Sequence, residues 1–382
     1  MKILILLACL MFCDSEHNQN LGDDLPVINL VESNHVNSST KEFFESVEYI
    51  KLETTPGCWL GDDLDVFVTD KFIVTASYKQ NVAYLFDRKS GKFIKQIGQK
   101  GKGPNDYDYI SGGRLFDEQE MILYCDKGST EKIGYNIENG EIKIIKLPLL
   151  RNVSAFTISP VNYFIKMGAE NEYAGYVNNI SGSDSIRLVI FDDNGNVVKS
   201  FPNYQHYTQI NPSLYPANGG EFYVFNHSLF FKEPIFNDTI YVLNHKEMLP
   251  YATFYLGEHT PPYQLMIPMP NENRQNYFKV ELLGENNKYI FFNYLYQGTR
   301  YCGYYYKQIK QTFVNKGYLD NNLGYYFIPK YMTFKGELTG ILSAHEVVEY
   351  MKNKKNASNT VKHLSSIKEG DNPVIVIATL KK

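Results

Sequence analysis

The chain has 382 residues, of which 43% are hydrophobic and 21% charged, a composition typical of globular proteins that excludes disordered and collagen-like chains. Its net charge of −4 provides no basic field for a phosphate backbone, so nucleic acid is not expected as a partner. The 31 tyrosines and 24 phenylalanines favour β-structure, because flat rings pack well on a pleated sheet.

The chain starts with a short apolar segment that has the features of an export signal. Met1 and Lys2 precede an uninterrupted apolar run from Ile3 to Cys13, which ends abruptly at Asp14. This run is too short to span a bilayer, since a spanning helix needs about 20 apolar residues. A positive start and a short apolar core are typical of a signal peptide. We therefore predict a signal over residues 1–12 rather than a buried first strand.

Cys13 stands at the junction between the apolar run and the acidic residues that follow. This placement resembles a bacterial lipoprotein signal, in which the junction cysteine is acylated and becomes the mature N-terminus. Leu10 matches the leucine usually found three residues before that cysteine, whereas Phe12 departs from the usual small residue. Cys9 is the alternative: the preceding residues Leu6-Leu7-Ala8 match the lipoprotein pattern better, but the apolar core before Cys9 is shorter. The resemblance implies that a lipid on Cys13 anchors the protein to a membrane without spanning it.

Residues 13–43 are predicted to form a polar tether between the lipid and a domain that begins at residue 44. Only Pro26–Val31 has the composition of a strand in this segment. Beyond it, short β-type runs alternate with turn residues, and three segments repeat one pattern. These segments are Tyr84–Lys95, Gly134–Ile144 and Val189–Lys199. Each is typical of a β-hairpin, in which an apolar strand is followed by a polar turn with a glycine and by a second, alternating strand.

The repeats are spaced as the blades of a β-propeller. Their glycines lie roughly 50 residues apart, and a strand-only repeat of about that length is the signature of propeller blades. Five hairpins fall between Tyr84 and Phe313, and the sixth blade is expected to combine Tyr325–Ile328 and Val374–Leu380 with the early strand Val47–Leu52. Such sharing closes the ring and leaves no sheet edge exposed there. We predict an all-β, six-bladed propeller over residues 44–382; seven blades or an open two-domain sandwich are the alternatives.

One late segment breaks the β pattern. Ser343 and Glu346 match a capping box, and an apolar stripe follows at Val347, Val348 and Met351. A second short helix is expected over Asn359–Ile367, because its apolar residues recur at helical spacing. We therefore predict a short helical insertion in the last blade, at about residues 343–367.

Several segments resemble the six-bladed β-propeller lipoproteins of Bacteroides-type bacteria, which are distantly similar to NHL-repeat propellers. The segments are Tyr49–Pro56, Phe86–Asp87, Lys95–Tyr107, Pro234–Tyr241 and Asp371–Val374. Gly101–Tyr107 is the most specific of them, and the resemblance covers the chain after about Phe44. It implies a propeller in the cell envelope, lipid-anchored at the outer membrane and facing the periplasm or the cell surface. It implies no particular biochemical activity.

Residues that could carry catalysis or bind a metal form no recognisable constellation. The histidines of the propeller region share neither a metal-ligand spacing nor a repeated blade position; they are His206, His227, His245 and His259. Cys58, Cys125 and Cys302 have apolar neighbours, as expected of buried structural thiols. The glycines of the Gly98–Pro104 loop lack the helix that a phosphate-binding loop opens. We therefore expect no cofactor, no metal and no catalytic residue, and an enzyme is the less favoured class.

Two irregular connections combine aromatic and polar side chains and contain the candidate ligand-binding residues. These residues are Tyr204, His206, Tyr207, Tyr215, Tyr296 and Arg300. Tyrosine rings beside amides and an arginine stack on sugars or peptide groups and bond their polar edges. The sequence thus predicts an exported, lipid-anchored module that binds a glycan, a peptide or an envelope protein. A propeller hydrolase or lyase with a metal in its channel, or a structural subunit of an envelope complex, are the alternatives.

Overall fold

The computed structural model describes residues 25–61, 64–111, 116–150, 161–168, 171–177, 179, 182–206, 221–233, 237–261, 275–352 and 361–381. They form a six-bladed β-propeller, in which each blade contains four antiparallel strands. In blades 1 to 5 these strands are neighbours in the sheet in the order in which they occur in the sequence. The predicted fold class is therefore confirmed.

Four elements precede the first complete blade. They are β1 (Val27–Asn29), β2 (Asn34–His35), helix α1 (Thr40–Phe43) and β3 (Phe44–Lys51). Strands β1 and β2 lie within the segment assigned to a tether, and each pairs in parallel with the outermost strand of a blade.

Blades 1, 2 and 3 follow one another along the chain, and the residues described between their strands contain no helix. Blade 1 comprises β4 (Asp65–Val68), β5 (Phe72–Ser77), β6 (Val82–Asp87) and β7 (Phe93–Gln96). Blade 2 comprises β8 (Phe116–Asp117), β9 (Ile122–Lys127), β10 (Glu131–Asn136) and β11 (Ile142–Lys146). Blade 3 comprises β12 (Val161–Lys166), β13 (Glu172–Val177), β14 (Ile186–Asp192) and β15 (Val197–Pro202).

Blades 4 and 5 carry the two N-terminal strands on their outer edges. Blade 4 comprises β16 (Glu221–Phe225), β17 (Ser228–Lys232), β18 (Thr239–Leu243) and β19 (Met248–Tyr255), with β1 beside β19. A 3-10 helix at Gly257–His259 leads to blade 5. That blade comprises β20 (Lys279–Glu285), β21 (Tyr289–Tyr296), β22 (Thr299–Tyr306) and β23 (Gln311–Asn315), with β2 beside β23.

A separate hairpin stands between blades 5 and 6. It pairs β24 (Tyr318–Asp320) with β25 (Tyr325–Phe327). The expectation that Tyr325–Ile328 supplies a strand of the sixth blade was wrong. The Asp320 carboxylate accepts hydrogen bonds from the amides of Asn322 and Leu323, which closes the turn locally and pairs β25 with β24 instead.

Blade 6 is built from both ends of the chain. Its strands are β26 (Tyr331–Met332), β27 (Leu338–Leu342), β28 (Val374–Leu380) and the early strand β3. Strand β3 pairs with β28 in antiparallel fashion, from Lys51 opposite Val374 to Phe44 opposite Leu380. The predicted closure of the ring by an early strand is therefore confirmed.

Helix α2 (Ala344–Lys352) lies between β27 and β28, where a helix was predicted. The Ser343 hydroxyl accepts a hydrogen bond from the Glu346 amide at 3.2 Å, and the Ser343 amide donates to the Glu346 carboxylate at 2.8 Å. This reciprocal pair is a capping box. The second predicted helix is represented in the described residues by a 3-10 helix at Lys362–Ser366.

The hydrophobic core is divided among the interfaces between neighbouring blades. In the described residues, each of six buried clusters joins one pair of adjacent blades. Strand β28 shows the principle, because Val374 and Val376 pack toward blade 5 whereas Ile375 and Ile377 pack toward blade 1. Both faces of a blade are thus buried, which explains why its central strands are continuous apolar runs.

The alternating strand directions give the disc two distinct faces. Face A carries the turns between first and second strands and between third and fourth strands, such as residues 118–121 and 88–92. Face B carries the turns between second and third strands, such as residues 78–81, and the connections between blades, such as residues 203–206.

The predicted hairpins connect the third and fourth strands of blades 1, 2 and 3. In blade 1 the Asp87 carboxylate accepts a hydrogen bond from the Ser90 amide at 2.8 Å, and Gly91 follows with φ of +68°. Gly140 and Gly195 occupy the same position in blades 2 and 3, with φ of +78° and +79°. The left-handed backbone at this position favours glycine, which confirms the predicted turns.

Candidate functional site

The first strands of the six blades surround a central cavity that opens on face A. Its volume is about 440 Å³, and every blade contributes to its lining. The lining residues of the six blades include Phe67, Phe116, Ile165, Val224, Leu283 and Met332. Turns that join first and second strands form the rim on face A.

The wall contributed by blades 3 and 4 is apolar but incompletely covered. Tyr163 and Ile165 on β12 are half-buried, and so are Phe222 and Val224 on β16. On the rim, Phe334 in the blade 6 turn is 57% exposed. Apolar side chains around a concave space are typical of ligand sites, because a ligand that covers them removes apolar surface from water.

Polar contacts tie the rim turns of neighbouring blades together. Lys166 Nζ of blade 3 lies 2.6 Å from a Glu120 carboxylate oxygen of blade 2. The Glu118 carboxylate accepts a hydrogen bond from the Phe334 amide at 2.8 Å, and Lys335 Nζ lies 2.5 Å from Asp70 of blade 1. The blade 6 turn is thus bound to blades 1 and 2, which fixes Phe334 at the mouth of the cavity.

Asp117 ends the first strand of blade 2 and lines the same cavity. Its Oδ1 atom accepts hydrogen bonds from the amides of Gln119 and Glu120 at 2.9 and 3.0 Å, whereas Oδ2 is buried without a hydrogen-bond partner. Burial raises the pKa of Asp117, against the lowering effect of the two amide hydrogen bonds. The carboxyl group therefore stabilises the rim turn through one oxygen.

The cavity offers ring faces together with polar and charged rim groups. Within the described parts of the chain, no group of three His, Cys, Asp or Glu side chains is placed to hold a metal ion. Cys58, Cys125 and Cys302 are buried, as predicted, and burial raises the pKa of Cys125 to about 12. A thiol with so high a pKa is a poor nucleophile. The arrangement is suited to binding.

The sequence-predicted residues that the structure describes lie on face B, opposite the cavity mouth. Tyr204 and His206 occupy the connection after blade 3, where Tyr204 is 82% exposed. Between them, the Gln205 side chain accepts a hydrogen bond from the buried Arg187 at 2.7 Å. This bond anchors the connection and directs Tyr204 outward. Tyr207, Tyr215 and Cys13 lie outside the described residues.

Tyr296 and Arg300 share the hairpin of β21 and β22 but project from opposite sides of the sheet. Leu295 pairs with Arg300 and Tyr296 pairs with Thr299, so strand alternation separates the two side chains. Tyr296 packs against Phe278 and His259 with ring centroids 4.8 and 5.0 Å away. Arg300 forms an ion pair with Glu281.

The structure therefore groups the candidates differently from the sequence. Tyr204 and His206 share the connection after blade 3, whereas Tyr296 and Arg300 belong to the hairpin of β21 and β22 in blade 5. The cavity lining was missed, because β12 and β16 have the composition of ordinary apolar strands. The one available signal was Glu221–Phe225, where four successive apolar residues include three rings.

A family model described as Domain of unknown function (DUF4934) matches residues 25–379. Among solved structures, a protein from Bacteroides fragilis described as exported is similar with a TM-score of 0.66 and 17% sequence identity; the match covers 93% of this chain and 100% of that one. A member of the duf4221 family from Bacteroides vulgatus has a TM-score of 0.49 and 11% identity, over 88% of this chain and 97% of that one.

The first of these likenesses shows the same fold for the two chains. No curated protein matches the sequence. Among the helices of the described residues, none has the length and apolar character needed to cross a bilayer.

Proposed function

Since the chain belongs to the DUF4934 family, whose model extends over the whole propeller, we propose that it is an exported, lipid-anchored binding module of the bacterial cell envelope. Its ligand is a glycan, a peptide or a partner protein, and the central cavity is the binding site for a small ligand. The observation that carries the proposal is the half-buried apolar wall around a cavity of about 440 Å³. This volume lies in the range of about 300–1,000 Å³ that is usual for small-molecule sites.

The envelope address rests on the N-terminal sequence. The apolar run from Ile3 ends at Cys13, which resembles the acylated cysteine of bacterial lipoproteins. The Bacteroides fragilis protein of the same fold is described as exported, which supports the same address. In this proposal, acylated Cys13 holds the propeller at the outer membrane.

We expect the mature protein to begin at Cys13 with a covalently attached lipid. Mass spectrometry of the N-terminal peptide, after expression in a host that processes lipoproteins, measures this directly. Cys13→Ser is expected to release the protein into the soluble fraction, whereas Cys9→Ser leaves it in the membrane fraction. An unmodified N-terminal peptide that starts at Asp14 or later would contradict the anchor.

The chemistry of the cavity fits a ligand with apolar faces and polar edges. Half-buried side chains such as Phe222 provide faces for stacking, and the rim provides charged and amide groups. Sugar rings and peptide side chains both have this character. A larger partner is proposed to contact Tyr204, His206, Tyr296 and Arg300, because these residues lie on face B and a small ligand in the cavity would not touch them.

We expect a cavity ligand to stabilise the protein in proportion to its occupancy. Thermal unfolding with panels of oligosaccharides and short peptides is the measurement, and a ligand at 100 times its Kd adds about 2.7 kcal/mol to the free energy of unfolding. Phe334→Ala removes the exposed ring from the rim and is expected to weaken binding about tenfold, or about 1.4 kcal/mol.

Tyr326→Ala is the matched control, because Tyr326 is 51% exposed on β25 and does not line the cavity. Equal loss of binding in both variants would contradict the cavity site. Stoichiometric bound metal in the purified protein would favour the hydrolase or lyase alternative. A stable co-purifying protein without any small ligand would favour the structural subunit.

A further inference from the structure

Three aromatic side chains on face B are about half exposed and lie on successive loops. Trp59 is 51% exposed in the connection from blade 6 to blade 1, Tyr78 is 47% exposed in the turn between β5 and β6, and Tyr109 is 48% exposed in the connection from blade 1 to blade 2. We call these three residues the aromatic platform. They are distinct from the cavity and from the residues that the sequence singled out.

Hydrogen bonds tie the first two loops of the platform together. Gln80, in the same turn as Tyr78, accepts a hydrogen bond from the Gly61 amide at 2.6 Å. The Gln80 side-chain amide donates to the Trp59 carbonyl at 3.3 Å. The oxygen and the nitrogen of the Gln80 side chain thus both join the turn of Tyr78 to the loop of Trp59.

The next residue, Asn81, ties the same turn to the third loop. Its side-chain amide donates to the Asp108 carbonyl at 3.1 Å, and its side-chain oxygen accepts from the Ile110 amide at 2.6 Å. The two residues bound in this way, Asp108 and Ile110, directly precede and follow Tyr109 in the sequence. The Tyr107 hydroxyl adds a third bond, to the Asn81 carbonyl at 2.9 Å.

A hydrogen bond from its own indole group fixes the Trp59 side chain. Its indole N–H donates a hydrogen bond to the Gly370 carbonyl at 3.2 Å, so the ring is held although half of it faces water. Exposed rings on rigid loops lose little conformational entropy when a ligand covers them. The platform is therefore preorganised for contact.

Polar groups of both charge signs, two lysines and one aspartate, border the platform at Tyr109. Tyr109 lines a shallow depression of about 370 Å³ together with Lys100, Lys102, Asp108 and Ser129. Lys102 Nζ lies 2.5 Å from the Asp108 carboxylate, so the pair offers a donor and an acceptor while its charges offset one another. Ligands with hydroxyl groups, which both donate and accept, match this mixture of donors and acceptors.

We propose that the aromatic platform binds a neutral carbohydrate chain. A pyranose ring has an apolar C–H face that stacks on an aromatic ring, and hydroxyl edges that bond the groups beside Tyr109. Three rings on consecutive loops suit a chain of repeated sugar units. A folded protein partner would need about 800 Å² of contact on each side, which is more than three separated rings supply.

Trp59 is the only tryptophan of the chain, so its fluorescence reports on this surface directly. The full mature chain is titrated with a soluble β-glucan, an α-mannan and an arabinogalactan, with polygalacturonate and a mixed peptide digest as comparators. We expect at least one neutral polysaccharide to shift Trp59 emission to the blue and to reduce its quenching by acrylamide. Tyr109→Ala and Tyr78→Ala are each expected to weaken that response about tenfold, as removal of a central aromatic contact does.

Tyr326→Ala serves as the control and is expected to leave the response unchanged. The proposal is overturned if none of the three neutral polysaccharides changes Trp59 emission, or if only polygalacturonate or the peptide digest does. It is also overturned if Tyr109→Ala binds as tightly as the native chain. Because Trp59 reports on face B alone, failure here leaves the thermal-shift test of the cavity standing.

Discussion

Deletion of residues 1–51 is expected to abolish cooperative folding. The deletion removes β3, which is the only partner of β28 on that side and completes blade 6. Buried side chains of β28, such as Val376, would then lie at an open edge, and the interface between blades 5 and 6 would lose Phe44 and Tyr49. An open, apolar strand edge also templates aggregation. Circular dichroism and urea unfolding should show no cooperative transition.

A shorter deletion, of residues 1–38, is the matched control. It removes β1 and β2 but keeps helix α1, its cap Ser39 and all of β3. We expect this variant to fold cooperatively, with a free energy of unfolding lowered by about 3–6 kcal/mol for the loss of the buried Ile28 and Leu30. If both deletions unfold alike, closure by β3 is not what holds the ring.

Gly91→Ala is expected to lower the free energy of unfolding by about 3 kcal/mol or more. Gly91 has φ of +68°, and an added Cβ would lie 2.0 Å from the Lys51 carbonyl oxygen. This oxygen belongs to β3, so the clash cannot be relieved by a side-chain rotation. The variant would have to displace either the hairpin of blade 1 or the closing strand of blade 6.

Gly140→Ala is the matched control, because Gly140 occupies the same turn position in blade 2 with φ of +78° and nothing within 4 Å of the added Cβ. We expect this variant to lose only about 1 kcal/mol, the usual penalty for an alanine with left-handed backbone. Urea titration of both variants measures the difference. Equal losses would show that backbone conformation alone, and not contact with β3, determines the cost.

The repeated hairpins could be predicted from the sequence because their information is local. A polar cap such as Asp87 and a glycine such as Gly91 specify the turn within a few residues, and strand composition specifies the rest. Closure by β3 could be predicted because a propeller with an open blade would leave an edge exposed. The capping box at Ser343 is likewise local.

Other pairings between distant segments could not be predicted. The strand composition of Pro26–Val31 agrees with β1, but its pairing with blade 4 could not be predicted, and the two-residue strand β2 exists only through its pairing with blade 5. The hairpin of β24 and β25 was assigned to blade 6 because Tyr325–Phe327 has the composition of a blade strand. Its separate position follows from the Asp320 turn, which strand composition does not indicate.

The candidate sites were only partly visible in the sequence for a related reason. Exposure decides whether an aromatic ring belongs to the core or to a surface, and exposure depends on neighbouring blades. Tyr204 lies in an irregular connection, as predicted. Trp59 stands between Cys58 and Leu60, and this apolar surrounding gave no sign of its exposure. The cavity could not be predicted because its wall is formed jointly by strands of all six blades.

The N-terminal strands also determine how the propeller responds to mechanical load. In the lipid-anchored form proposed above, tension between Cys13 and the propeller would reach β1 first, then β2, and only then the eight-residue strand β3. The three paired residues of β1 and the two of β2 are edge pairs, so they detach before the longer pairing with β28 is strained. Each residue released from a strand would lengthen the extended N-terminal segment by roughly 3.3–3.6 Å. The two strands would thus detach before load reaches the pairing of β3 with β28, which closes the ring.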